Sequence, residues 1–142
     1  MRVLVFVLVV MLTGCQTNPT ARADPHEYGL NEDFTLGGGH EAVIRGEDLR
    51  LRFTEVLEDS RCPALVECFW TGQARIAVAV QLAGQQSTTA EFNTNPAPAL
   101  SVQTARVGPY AIELQALDPY PQTPEESIAL ADYEATFLVR KR

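Results

Sequence analysis

Trp70-Thr71-Gly72-Gln73-Ala74-Arg75-Ile76-Ala77-Val78-Ala79-Val80-Gln81-Leu82 decides the fold class. Trp70, Ala74, Ile76, Val78, Val80 and Leu82 fall on one face of a period-2 pattern, and Arg75, Ala77, Ala79 and Gln81 on the other. Strict alternation of this kind marks a strand with one buried face, because successive side chains of a strand point to opposite sides of the sheet. Gly84-Gln85-Gln86 supplies a turn, and Thr88, Ala90 and Phe92 read as the returning strand. A straight run from Gly72 to Leu82 would exceed ~35 Å at ~3.3 Å per residue, so a bend, a bulge or a change of partner is expected along it.

Working outward, Leu49, Leu51 and Phe53 alternate with Arg50, Arg52 and Thr54. Tyr110, Ile112, Leu114 and Ala116 alternate with Ala111, Glu113 and Gln115, and Tyr133, Ala135, Phe137 and Val139 form a last stripe. Weaker strands are expected at Phe34–Leu36, Ala42–Ile44 and Ser101–Thr104. Asp118-Pro119-Tyr120-Pro121-Gln122-Thr123-Pro124 cannot continue a ladder, since proline has no amide proton to give it. Thr123 followed by Pro124 could cap one helical turn. No stretch of ten residues carries a helical period. The pattern predicts an all-β chain of about seven or eight strands, packed as an antiparallel β-sandwich of immunoglobulin-like general architecture. A small β-barrel is the alternative.

The first residues carry a different signal. Met1-Arg2 gives one positive charge, Val3–Leu12 is an unbroken apolar run, and Leu12-Thr13-Gly14-Cys15 closes it with small residues before a cysteine. A charged start, a short apolar core and a small-residue cleavage site compose a signal peptide, and the run is far short of the ~20 residues of a membrane span. The Leu-Thr-Gly-Cys order resembles the lipobox of bacterial lipoproteins. That resemblance implies lipid on Cys15, cleavage before it, and a cell-envelope protein held at a membrane through that lipid. Gln16 stands where an aspartate would favour retention in an inner membrane, which by the same resemblance points to the periplasmic face of an outer membrane. The expected organisation is a signal peptide over residues 1–14, a polar and flexible tether over 15–32, and a single domain over 33–142.

Removing residues 1–14 takes away Arg2, leaving 11 − 1 = 10 basic against 18 acidic side chains, a formal charge near −8. Such a balance repels phosphate and argues against a nucleic-acid partner. With Cys15 assigned to lipid, Cys62 and Cys68 remain, and in an exported chain they are expected to pair. Cys-x5-Cys lacks the short spacing and nearby histidine of a zinc site. The ring holds seven residues, for which loop-closure entropy gives about 2 kcal/mol.

Around that ring lies the most distinctive local motif, Asp59-Ser60-Arg61-Cys62-Pro63 followed by Cys68-Phe69-Trp70-Thr71-Gly72. Asp59 and Ser60 suit turn caps. Trp70, in phase with the apolar strand face, is expected to be buried over the disulfide, with Gly72 leaving room beside the indole. Arg61 is expected to be exposed or bonded to local carbonyls. The motif, with the terminal Tyr-x-Ala-x-apolar-x-Val strand, resembles a group of small uncharacterised bacterial exported proteins and lipoproteins across roughly residues 34 to 140. The resemblance implies a sandwich with a structural disulfide and brings no catalytic residues.

Chemistry is sparse. The chain has no Gly-x-Ser-x-Gly, and its two histidines are His26 and His40, so Ser60 has no evident base. His40 and Glu41 form at most part of a metal site. No catalytic residue, metal or cofactor is therefore expected. Phe69 and Tyr120 could be outward aromatics of a binding patch, although packing in core or loop is the simpler expectation for each. Asp59, Ser60, Arg61 and Trp70 are the candidate binding loop of a non-catalytic binding or structural module, its partner an unknown envelope protein or small molecule. An inhibitor of secreted hydrolases is the alternative, motivated by Arg61 ahead of Cys62-Pro63 on a scaffold resembling other sandwich-type inhibitors. A small envelope hydrolase using carboxylates such as Asp59 and Glu67 is a further one.

Overall fold

The computed structural model describes residues 25–95 and 103–142. Over these residues the chain forms nine strands in two sheets. They are β1 (His26–Tyr28), β2 (Asp33–Gly37), β3 (Glu41–Ile44), β4 (Leu49–Asp59), β5 (Ala74–Leu82), β6 (Thr88–Asn93), β7 (Thr104–Val107), β8 (Tyr110–Asp118) and β9 (Glu134–Lys141). One sheet has the order β1-β3-β4-β5-β6, the other β2-β9-β8-β7. Every pairing is antiparallel except β1 with β3. The two sheets do not close into a barrel, and the sandwich expected from the alternating stripes is the architecture found.

The apolar stripes face one another. Leu49, Leu51 and Phe53 of β4, Ile76, Val78 and Val80 of β5 and Phe92 of β6 meet Ile112 of β8 and Ala135, Phe137 and Val139 of β9, all essentially without solvent contact. Phe137 joins the layers, its ring edge-on to Phe92 at 5.6 Å and tilted against Phe34 at 6.1 Å. Aromatic pairs in such geometries add to the stabilisation from burial alone.

The expected irregularity lies on β4 rather than β5. The β4–β5 register slips between Phe53 and Glu55 and again between Val56 and Glu58. A bulge inserts one residue and reverses the facing of all that follow. Strict alternation would send Glu55 and Leu57 into the core. The first slip leaves Glu55 exposed and brings Val56 onto the core, and the second restores the phase at Asp59, opposite Ala74. Thr54 covers the first bulge, its hydroxyl donating to the Ala77 carbonyl at 3.0 Å. β8 slips likewise between Leu114 and Ala116, so that Leu117 is buried and Ala116 exposed. The alternation ending on Ala116 is corrected accordingly.

Other boundaries also differ from the sequence reading. β5 begins at Ala74, so Trp70 is not part of it. β7 runs Thr104–Val107 rather than Ser101–Thr104, of which Ser101 and Val102 lie outside the described residues. The segment just after Thr123 forms no helix, and the one helical turn among the described residues is a 3-10 turn at Leu130–Asp132. Within the stretch read as tether, β1 pairs with β3 and Tyr28 stacks on Phe34 at 4.4 Å. A three-residue edge strand held by backbone bonds and one ring is too short to leave a hydrophobic period. Cys15 and residues 1–14 lie outside the described residues. Phe137→Ala is expected to cost ~3–5 kcal/mol, since a large inter-sheet ring would be replaced by a cavity. Denaturant unfolding of the variant checks this.

Candidate binding site

β4, β5, β8 and β9 converge at one pole of the sandwich, and the corner between β4 and β5 is built there. Arg61 is its centre. The expectation of an exposed Arg61 is corrected, and that of bonds to local carbonyls is met: the residue is 4% exposed. Its Nε donates to Asp59 Oδ1 at 2.8 Å and its Nη2 to Asp59 Oδ2 at 2.6 Å, a bidentate pair. Nη1 donates to the Leu117 carbonyl and Nη2 to the Pro119 carbonyl. The guanidinium also sits over the Tyr120 ring, 4.3 Å from its centroid. Asp59 Oδ1 further accepts the Arg61 backbone amide at 3.2 Å, the local turn bond expected of an aspartate there. Asp59 Oδ2 accepts the Tyr133 hydroxyl at 2.9 Å. One ion pair thus ties the end of β4 to the end of β8, to the cis Asp118–Pro119 turn and to the entry of β9.

Burial acts to raise the Asp59 carboxyl, but the hydrogen bonds and charge of Arg61, with the Tyr133 hydroxyl, outweigh it and hold the group below its ordinary value. Burial likewise works against the Arg61 charge, and Asp59 more than restores it. Tyr133 is pushed up to about 12 by burial and by the Asp59 carboxylate it donates to.

Ser60 is exposed, and its hydroxyl donates to Glu58 at 2.9 Å and to the Gln73 carbonyl at 3.1 Å, a bridge across the corner rather than a cap on an amide. The corner backbone continues as two rungs, Ser60 N–H to Gln73 O at 2.7 Å and Cys62 N–H to Thr71 O at 2.9 Å. Gly72 allows this approach. It has φ +68°, and a Cβ there would lie 1.9 Å from the Ser60 carbonyl oxygen. The expectation that Gly72 makes room for the indole is therefore corrected, because what it admits is backbone.

Cys62 and Cys68 form the disulfide, Cα to Cα 5.9 Å. The ring also leans on the proline loop, with Ala64 N–H donating to Pro121 O at 2.8 Å and Leu65 N–H to Gln122 O at 3.2 Å. Residues 64–70 are all exposed. Trp70 is 75% exposed, against the expected burial, and Phe69 is 107% exposed. Trp70 fails its sequence phase because Gly72 turns the chain before β5 begins, so a stripe counted back from Ala74 does not reach residue 70. Leu65, Val66 and Tyr120 are exposed at the same pole. Phe69 is the outward aromatic the simpler reading passed over, while Tyr120 both packs on Arg61 and remains half open.

Both Asp59 oxygens are occupied, Glu67 stands exposed on the ring, and the Ser60 hydroxyl is engaged by Glu58 and the Gln73 carbonyl. Among the described residues no group of three or more His, Cys, Asp or Glu could hold a metal ion. The Gly37-Gly38-Gly39 run beside His40 serves backbone packing, since a Cβ at Gly38 would lie 1.8 Å from the Leu130 carbonyl oxygen. The concavity beside Arg61, lined by Thr94, Gln103, Leu117 and Tyr120, holds about 170 Å³, below the ~300 Å³ at which ligand pockets begin. Among the described residues no helix is long and apolar enough to cross a membrane. No protein-family model, no curated protein and no solved structure matches the chain.

Asp59→Ala leaves a buried guanidinium without its counter-charge and is expected to cost ~3–5 kcal/mol. The ion pair also sets an acid limb. The unfolded aspartate titrates near ~3.9 and the folded one lower, so between the two values the unfolded state binds more protons and stability rises with pH. The contribution is complete above the unfolded value and is lost as pH falls through the folded one. Urea unfolding followed from neutral to acid pH should show that limb flattened in Asp59→Asn. Gly72→Ala, forced into positive φ against a carbonyl, is expected to cost more than ~1 kcal/mol in the same measurement.

Proposed function

We propose that this chain is a lipid-anchored, non-catalytic binding module of the bacterial cell envelope, exported by residues 1–14 and lipidated at Cys15, with the Cys62–Cys68 loop as its contact surface. The observation that carries the contact surface is the full exposure of Phe69 and the large exposure of Trp70 on a loop whose base is fixed by a disulfide, two backbone rungs and a buried ion pair. Aromatic side chains held rigidly in water lose little entropy on docking, which suits contact energetics. The motif shared with small exported bacterial proteins and the Leu-Thr-Gly-Cys sequence support the envelope assignment, and Gln16 favours the outer membrane's periplasmic face. The acidic surface disfavours nucleic acid.

Among the loop residues first singled out, Trp70 belongs to the contact surface, whereas Asp59 and Arg61 hold it in place. An inhibitor that inserts Arg61 into a protease pocket is not favoured, because the guanidinium side chain is 2% exposed and fully engaged. A hydrolase using Asp59 is not favoured either, since that carboxylate is held ionised by Arg61.

Cys15→Ser is expected to release the protein from the membrane fraction and to abolish palmitate labelling. Recovery of the unaltered chain wholly in the soluble fraction would count against the anchor. Trp70→Ala is expected to change stability by no more than ~0.5 kcal/mol, as for other exposed substitutions, and the emission of the sole tryptophan in the detergent-free Cys15→Ser protein should be red-shifted and open to acrylamide. A photo-reactive residue replacing Phe69 should cross-link to an envelope component in cells. A folded, membrane-held protein that yields no adduct removes the contact-surface reading.

A further inference from the structure

Two independent features point to the same pole. The exposed large apolar residues among those described are Leu57, Leu65, Val66, Phe69, Trp70 and Tyr120. They belong to the end of β4, the disulfide ring and the proline loop that pairs with it, and the opposite pole has none of them. The second feature is the direction in which the chain enters the fold. β1 runs parallel to β3, with His26 opposite Ala42, and Ala42 is opposite Leu51 of β4. β3 is antiparallel to β4, so β1 has its first residue on the side to which β4 runs from Leu51 towards Asp59. That is the direction of the aromatic loop. From the level of Leu51, opposite Val80, to that of Thr71 at the foot of the loop is about 30 Å at ~3.3 Å per residue. Cys15 and His26 are eleven residues apart, and a chain of that length can span up to ~36–40 Å. A lipid on Cys15 and the loop tip can therefore lie in one plane.

We propose that the disulfide loop is a second, non-covalent membrane contact, with Leu65, Phe69 and Trp70 entering the interfacial layer of the bilayer that holds the Cys15 lipid. This inference rests on the lipoprotein reading and names the component that the loop touches. Indole and phenyl rings gather at the headgroup level, where an apolar body and a polar edge are both accommodated. The loop suits shallow entry, because its backbone is bonded at Cys62, Ala64 and Leu65 while the side chains of Leu65, Phe69 and Trp70 are exposed. Glu67 on the ring and Glu125 and Glu126 on the neighbouring loop are exposed carboxylates. They are repelled by anionic headgroups, so the lipid chemistry selected is a zwitterionic surface, as phosphatidylethanolamine presents. Seated in this way, the sandwich stands with β4 running towards the membrane and β5 away from it, and the pole carrying the β5–β6 turn faces outward.

The sole tryptophan is the loop residue Trp70, so its emission reports the contact directly. The full chain, purified from membranes and with the lipid on Cys15 verified by mass, is incorporated into phosphatidylethanolamine–phosphatidylcholine vesicles with brominated acyl chains. Trp70 emission is expected to shift to the blue relative to the Cys15→Ser protein in buffer, to be quenched by the bromines, and to lose acrylamide access. Adding phosphatidylglycerol should weaken the quenching, and raising the salt should restore it. A lipidated, folded protein whose Trp70 stays red-shifted and unquenched overturns the membrane contact and leaves the anchor standing. A mature chain without lipid on Cys15 overturns both. Cross-linking from position 69 to a protein in place of lipid overturns the bilayer assignment and keeps the binding module.

Discussion

The corner between the two sheets depends on one buried charge pair. Arg61 is a cation nearly out of solvent at the rim of an apolar core, where an unpaired charge would cost several kcal/mol. Its donors are met by a bidentate carboxylate and two carbonyls, and the accepting carboxylate is met in turn by a tyrosine hydroxyl. The partners come from β4 on one sheet and from β8, the turn after it and the entry of β9 on the other. A geometry that satisfies all of them exists only when the sheets are correctly stacked at this pole. Buried pairs of this kind contribute little net stability compared with apolar packing, yet strongly penalise arrangements that leave one member alone. Here the pair acts as a constraint on where the sheets meet.

The bulges in β4 and β8 belong to the same constraint. Two slips in β4 eject Glu55 and Leu57 and return Asp59 to the inward phase opposite Ala74, where it can face Arg61. One slip in β8 buries Leu117 and presents its carbonyl to the same guanidinium. Bulges re-aim side chains by changing strand phase at the cost of a locally broken ladder, and three of them lie on the approach to this corner. The charge pair and the irregular strands are thus two parts of one arrangement, and the loop beyond inherits its direction from them.

That direction is what the proposed contact surface rests on. A disulfide ring of seven residues adds about 2 kcal/mol through chain entropy, too little to define a domain whose core spans both sheets. Its effect is local. With Arg61 anchored before Cys62, and Gly72 letting the strand backbones close behind Thr71, the two aromatics after Cys68 are held off the core. Phe69 and Trp70 remain in water in the isolated domain, an arrangement that makes physical sense for a surface awaiting contact. β1 begins with its first residue towards the same pole, which is the side from which the proposed lipid anchor would hold the domain.

The sequence by itself determined the fold class. Stripes such as Ile76-x-Val78-x-Val80 and Ala135-x-Phe137-x-Val139 can be buried only as strands against other strands, and two such faces packing together is a consequence of water's exclusion from both. It pointed to the cysteine pairing as well, because Cys62 and Cys68 stand six positions apart without the spacing or the nearby histidine of a zinc site, and they form the disulfide. The corner was settled only in three dimensions. Period counting carried Trp70 into the core because it assumes a continuous strand, and it missed that Gly72, at positive φ against the Ser60 carbonyl, breaks phase before β5. It left Arg61 at the surface or on local carbonyls because the carbonyls of Leu117 and Pro119 lie 56 and 58 positions away in the chain. Burial of a charge depends on partners brought from distant segments, and a one-dimensional pattern records only neighbours. For that reason the residue that looked buried in the core is exposed, and the residue that looked exposed is the buried anchor of the corner.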